Sequence, residues 1–224
     1  MKKLKSILDF ILLKIVSPFN WERLTFLFTG KSYQLTAAQR EYARRLMQHK
    51  AGLWVSRRRT HLTSYLISFA DFALQLRTWV MSGFKGPRPK FSYWTHAFIS
   101  TTDGTLIEAI GKGVFESYFD DVFDCDAVAY LVPSFLSLTE WSEVSERVVK
   151  KARELKGRPY DTVFNIADES AVSCIELMRI ALKEVPHYEK HFADFEKMIN
   201  LYKNVTPEML YQSKSFVVAW EVRH

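Results

Sequence analysis

Along the first fifty residues apolar positions recur at helical spacing. Leu4, Ile7, Leu8, Ile11 and Ile15 mark one stripe, interrupted by Asp9 and Lys14. The pattern predicts short helices at 3–16 and 20–28, parted by Ser17-Pro18. A third begins after Thr36, where "TAAQREYARRLMQHK" is rich in helix formers. "AGLWVSR" then reads as a strand. "HLTSYLISFADFALQLRTWVM" is long and apolar, and fits either one helix or a strand followed by a helix. "SGFKGPRPK", with its glycines and prolines, is a loop.

Beyond residue 90 the pattern changes. "FSYWTHAFIST" is β-rich and apolar on both faces, as a buried strand is. "TDG" is a hairpin turn, "TLIEAI" the return strand, "GKGVFES" a continuation of the sheet and "AVAYLVP" a further strand. "TEWSEVSERVVKKARELKG" is an amphipathic helix ending at Gly157, and "RPYDTVF" is a loop entering a short helix. A helix from Cys174 to about Val185, more helix and a last strand, "SFVVAWEV", complete an α+β chain without repeats or low-complexity tracts.

Composition changes this picture little. With 224 residues, 48% of them hydrophobic and 25% charged, the chain is long enough for one packed domain plus an extension. Two cysteines, Cys125 and Cys174, are too few for a disulfide scaffold and are expected as free thiols. Charge is more informative. Residues 1–59 hold 13 Lys or Arg against 3 Asp or Glu, a net +10 in a chain of net +6, which leaves −4 for the remainder. A basic helical extension, 1–50, is therefore expected on a mildly acidic body, 51–224. Residues 1–59 are suited to a protein assembly or a membrane surface. The start imitates a signal peptide but has no small-residue cleavage site, and it is too short and too charged to span a bilayer. The expected location is the cytoplasm or a particle that carries the chain. No base-stacking aromatics interleave with the basic residues, so nucleic acid is the weaker partner expectation.

Ser173 and Glu176 have capping-box spacing, which makes Ser173 the N-cap and Cys174 the first helical residue. Leu177, Met178, Ala181 and Val185 extend the stripe on which Cys174 lies. Helix N-termini favour the thiolate form of a cysteine and leave backbone N–H groups free for an oxyanion. Taken alone, Cys174 is better explained as a small buried residue filling the top of a helix, because free cysteine is among the most buried residue types. A nucleophile needs a base, and of six histidines only His96 lies inside a strongly apolar strand. His187 and His191 have i, i+4 spacing but none of the carboxylate or cysteine pattern of a zinc site, so no metal is expected. Twelve residues after His96, Glu108 sits in an equally apolar strand, where a carboxylate needs a partner.

The hairpin register decides whether these two can meet. A two-residue loop, Asp103-Gly104, puts them on opposite faces of the sheet. A three-residue loop, Thr102-Asp103-Gly104, pairs Glu108 with Phe98 and puts it on the face of His96, with Gly104 left-handed.

"THAFIS…GTLIEAIGKGVFES" followed by "GRPYDTVF…VSCIELMRIAL" resembles the permuted NlpC-type papain-like amidases, the YaeF/YiiX group. The resemblance covers roughly residues 52–185. It rests on Thr95-His96, Glu108-Ala109, Gly113-Val114, Tyr160-Asp161, Phe164, Cys174 and Glu176. It implies a circularly permuted papain-like fold, with a small antiparallel barrel-like sheet packed on the cysteine helix. It also implies Cys174 as nucleophile, His96 as base and Glu108 as the group that orients His96, with no cofactor. Tyr160 is expected to line the substrate pocket. Cleavage of an amide or ester in a peptide, peptidoglycan or lipid-amide substrate follows. The rival is a catalytically idle structural or binding protein of an assembly such as a virus particle. The chain departs from the family in lacking a "GD" turn at its first strand and in reading "CIE" for "CSE". Its 60–92 stretch is longer than the family's, as a lid over the groove would be.

Overall fold

The computed structural model describes residues 34–49, 51–58, 62–85, 88–161, 170–202 and 205–223. The apolar stripe of residues 4–15, the predicted helices 3–16 and 20–28, Phe164, His61 and His224 lie outside these residues.

Six strands form one antiparallel sheet: β1 (Gly52–Arg57), β2 (His96–Ser100), β3 (Thr105–Ile110), β4 (Gly113–Tyr118), β5 (Ala127–Pro133) and β6 (Phe216–Val222). Their spatial order is β4-β3-β2-β1-β5-β6. The fold is α+β. The sheet is open, with β4 and β6 at its edges, and this corrects the barrel-like sheet expected from the sequence: among the described residues no ladder joins the two edges.

Both faces of the central strands are buried. Trp54, Phe98 and Leu106 are fully buried on one face, and Leu53, Val55, Ala97 and Ile107 on the other. Trp54 is the hub of the first face. Its ring stacks with Phe98 at 6.1 Å, meets Tyr130 at 4.7 Å and Phe123 edge-on at 5.1 Å, and its Nε1 donates to Ser100 Oγ at 2.9 Å. Such an indole needs a polar partner once it leaves water, and Ser100 supplies it. Gly52 is required by the same cluster, since a Cβ there would lie 2.0 Å from the Tyr130 ring.

Helices cover the sheet. Ahead of β1 lies α1 (Ala37–His49), capped by reciprocal hydrogen bonds between Thr36 and Gln39. It buries Ala43 and Met47 in the common core, so its part of the expected 1–50 extension belongs to the body. The long apolar stretch resolves into a single helix, α2 (Leu62–Met81). The one-turn α3 (Phe119–Val122) follows β4. Next comes α4 (Leu138–Glu154), which opens with a Ser137–Glu140 capping box and buries Trp141, Val148 and Ala152 at helical spacing. It ends three residues before Gly157, whose φ of 85° turns the chain. The cysteine helix, α5 (Cys174–Leu182), packs across β2 and β3. The remaining helices are α6 (Tyr188–His191), α7 (Ala193–Tyr202) and α8 (Pro207–Gln212). His191 is half-buried, its ring stacked on Phe135 at 4.0 Å, and His187 is exposed. Among the described residues no helix is long and apolar enough to cross a membrane.

Gly113 links fold to site. Its φ is 100°, and a Cβ would come within 2.3 Å of the Arg158 carbonyl oxygen. That close approach lets Val114 donate to Arg158 at 2.9 Å and Gly157 donate to Val114 at 2.9 Å, while Val172 donates to Pro159 at 2.9 Å. Edge strand β4 thereby holds residues 158–161 beside the start of α5. Gly113→Ala is expected to cost roughly 1–3 kcal/mol from backbone conformation alone, and the Arg158 clash adds to it. Urea unfolding of the variant against wild type measures the loss.

Candidate active site

The hairpin takes the longer of the two loops considered. Phe98 pairs with Glu108, Ile99 with Ile107 and Ser100 with Leu106. Thr101 N donates to the Thr105 carbonyl at 3.0 Å, and Gly104 is left-handed at φ 86°. Glu108 therefore shares a face with His96, diagonally across the ladder. His96 Nε2 and Glu108 Oε2 are 2.7 Å apart, and the other carboxylate oxygen accepts a hydrogen bond from Ser117 on β4.

Cys174 begins α5 at the His96 end of the hairpin. Its N-cap, Ser173, accepts from Glu176 N, and the Glu176 carboxylate accepts from Ser173 N at 2.8 Å. The stripe at Leu177, Met178, Ala181 and Val185 is buried throughout, so packing fixes the helix and the thiol with it. Cys174 itself is 3% exposed.

Cys174 lies close enough to His96 for the two side chains to interact. An imidazole has two ring nitrogens, and with Nε2 committed to Glu108 the thiol has Nδ1. Burial by itself would lower the pKa of His96. The interactions with Cys174 and Glu108, with the charge of both, outweigh it and raise the pKa from 6.5 to about 9. Burial would raise Glu108, but the His96 hydrogen bond and charge, then Ser117, hold it below the usual carboxylate range.

Tyr160 and Asp161 arrive on the segment that Gly113 pins. Burial, aided by Cys174 and by the carboxylates of Glu176 and Asp161, pushes the Tyr160 phenol well above its ordinary value. Its hydroxyl keeps its proton and can donate. Glu176 and Asp161 are both buried and hydrogen-bonded to each other, and burial is the main cause of a raised Glu176 carboxyl. The sequence marks Glu176 as a capping-box residue and Asp161 only as a motif position. Their pairing depends on the Gly113–Arg158 contact, which no local pattern announces.

Cys174, Tyr160 and Thr95 line one narrow cavity, of about 20 Å³, roofed by Ile67, Asp71 and Leu74 of α2. Thr206, just before α8, also lines it. Asp71 was missed by the sequence reading. It is 2% exposed, and burial, partly offset by the Gln75 hydrogen bond and reinforced by Glu208, raises its pKa to about 7. Its Oδ2 accepts from Ser92 Oγ and from Gln75 Nε2, the latter at 2.9 Å. Among the described residues, Asp71 Oδ1 and Thr206 Oγ1 are buried without a hydrogen-bond partner. The usable signal was a lone carboxylate within the apolar "SFADFAL", the argument that found Glu108.

Cys125 lies in the bend before β5, and not in a strand. It is a free thiol, pushed up to about 12 by burial. Among the described residues no cluster of His, Cys, Asp and Glu is arranged to hold a metal ion. Comparisons with protein-family models, with curated proteins and with solved structures find no match.

The raised His96 sets a pH dependence. Its protonated form is bound more tightly in the folded chain, so the stabilisation is complete below about pH 6.5 and is lost as pH rises through about 9. The depressed Glu108 adds stability above its ordinary value of 4.5 that is lost as pH falls. Urea unfolding followed across this range is expected to show a decline above neutrality that His96→Ala flattens. An equal decline in the variant would assign it to other groups.

Proposed function

We propose that the chain is a thiol hydrolase or acyltransferase that cleaves an amide or ester through an acyl-enzyme on Cys174. Its fold is read as a circularly permuted papain-like one of the NlpC type. The observation that carries the proposal is the buried relay from Glu108 to His96 to a cysteine at a helix N-terminus. The order His, Glu, Cys along the chain agrees with the permutation.

In this reading the Cys174 sulfur attacks the substrate carbonyl carbon while His96 holds the thiol's proton. The negative charge that develops on the carbonyl oxygen meets the Cys174 backbone N–H, which α5 leaves without an intrahelical partner. Tyr160 lines the same cavity, which this reading takes as the substrate pocket. Collapse of the tetrahedral intermediate breaks the bond to the leaving amine or alcohol, which takes the proton from His96. A water then gives a proton to His96 and attacks the thioester. The acid departs, and the sulfur recovers its proton. Glu108 holds the imidazole orientation and stabilises its charged form throughout. Peptide, peptidoglycan and lipid-amide substrates all suit this chemistry, and it needs no cofactor. A peptidoglycan substrate would require delivery across a membrane, for example within a particle.

The narrowness of the cavity favours a second reading, an idle binding or structural protein that retains the relay. Iodoacetamide labelling separates the two. Cys174 is expected to react faster than a model thiol, and a rate equal to the model thiol's would support the idle reading.

Incubation with each substrate class is expected to leave an acyl adduct on Cys174 for one of them, detected by intact mass. Cys174→Ala should abolish both adduct and turnover with little change in unfolding midpoint. His96→Ala should lower kcat more than Glu108→Gln, because Glu108 orients and does not transfer the proton. Small, equal losses in all three variants would mean bystander residues.

A further inference from the structure

Helix α2 has a second face. Opposite the side that roofs the Cys174 cavity, Phe69, Leu76 and Val80 form one stripe at spacings of seven and four residues, and all three are exposed, while Tyr65 in line with them meets the Arg57 guanidinium at 6.0 Å. Large apolar groups aligned in this way on an outer face call for a partner. The stripe leads to two more exposed rings, Phe84 at 63% and Phe91 at 62%. Phe91 stacks on Phe72 at 4.4 Å, within the stripe, so both ends of the segment after α2 are tied to it.

Phe84 is held outward against backbone preference. The helix ends at Met81; Gly83 follows with φ 70° and Phe84 with φ 65°, a left-handed conformation that is strained for a bulky residue. Its N–H donates to the Trp79 carbonyl at 2.9 Å, and its ring meets Trp79 edge-on at 4.9 Å. The helix end thus locks an aromatic ring into solvent.

Along this segment the charged side chains are all cations, and a carboxylate from outside it, Glu208, is tied to the Tyr93 and Trp94 backbone N–H groups at 2.8 and 3.0 Å. Lys85, Arg88 and Lys90 are exposed beside Phe84 and Phe91, and Arg77 lies on the last turns of α2. From residue 72 to 102 the chain has no Asp or Glu. A protein groove would be expected to offer mixed polar groups to such a surface. A bilayer interface combines an apolar layer with a continuous anionic plane, and it matches exposed aromatic rings with Lys85, Arg88 and Lys90 beside them. Crossing is not indicated, since among the described residues no helix is long and apolar enough for it.

We propose that the outer stripe of α2, together with Phe84 and Phe91 and their flanking cations, is a docking surface for an anionic lipid bilayer. The surface lies flat on the bilayer, with the rings at headgroup depth and Lys85, Arg88 and Lys90 against lipid phosphates. It is distinct from the basic 1–59 segment, and it stands whether or not Cys174 is catalytic.

Vesicle flotation of the full chain tests this. Vesicles of phosphatidylglycerol and phosphatidylcholine in equal parts are expected to carry the protein at about 0.1 M salt, and pure phosphatidylcholine to carry far less. Replacing Lys85, Arg88 and Lys90 together by Glu should weaken binding by about a hundredfold or more. Phe84→Ser with Phe91→Ser should weaken it by about tenfold or more. All these positions are exposed, so unfolding midpoints should stay near wild type, which separates lost docking from lost fold. Three results would overturn the proposal. One is flotation undiminished in both variants, which would assign binding to another face. Another is no flotation, with residues 1–33 cross-linking to α2, which would assign the stripe to the chain's own N-terminal segment. The third is no flotation but a concentration-dependent mass that the Phe84 and Phe91 substitutions abolish, which would assign it to a second copy.

Discussion

A carboxylate inside a sheet has to be satisfied by what the strands bring to it, and Glu108 governs the geometry of this molecule's chemical end. Its two oxygens take one partner from each neighbouring strand, His96 from β2 and Ser117 from β4. Leaving either oxygen bare in so apolar a setting would cost about 1–3 kcal/mol. The three strands are therefore held in one register by a polar requirement as well as by their apolar faces. A slip of one residue would turn Glu108 away from both partners and expose Leu106 or Ile107 to the wrong layer. The thiol of Cys174 is then presented to an imidazole whose orientation is already determined. The geometry at the start of α5 is downstream of strand pairing.

Structural support for the site comes from several distant contacts. Gly113 admits the Arg158 backbone, and that contact carries Tyr160 and Asp161 to the start of α5. Ser173 and Glu176 cap the helix, and Asp161 closes behind Glu176. Two carboxyl groups buried together cannot both ionise cheaply, and the raised Glu176 is the result. Glu176 is in the first turn of the cysteine helix, so the pair acts on the geometry of that turn.

His96, Glu108 and Cys174 were legible in the sequence for one reason. Ionisable groups in apolar strands and a cysteine beside a capping box conflict with their surroundings, and such conflicts are visible locally. The hairpin register was also decidable, because Gly104 can adopt the left-handed turn that the longer loop needs. Closure of the sheet was not, since whether β4 and β6 meet depends on accumulated strand twist and not on any residue. The state of the 62–81 stretch was open because a helix buried on one side and apolar on the other carries no clear amphipathic signal. Once it is known to be one helix, Asp71 falls at the cavity and Phe69 in solvent. Neither position can be assigned from a run that reads equally well as a strand and a helix.

Because α2 is a single helix with the Cys174 cavity on one side and solvent-facing rings on the other, a shift of that helix would link what binds on its two sides. A cavity of about 20 Å³ accommodates little more than one water. Any larger group enters only in conformations where α2 or its neighbours have shifted, and its apparent affinity scales with the population of those conformations. A contact on the outer face that favours the shifted arrangement raises that affinity by some factor. By thermodynamic reciprocity, a cavity ligand tightens the outer contact by the same factor. The size of the linkage is set by how far each occupant distinguishes the two positions of one helix, and no continuous path of residues between the two sides is required.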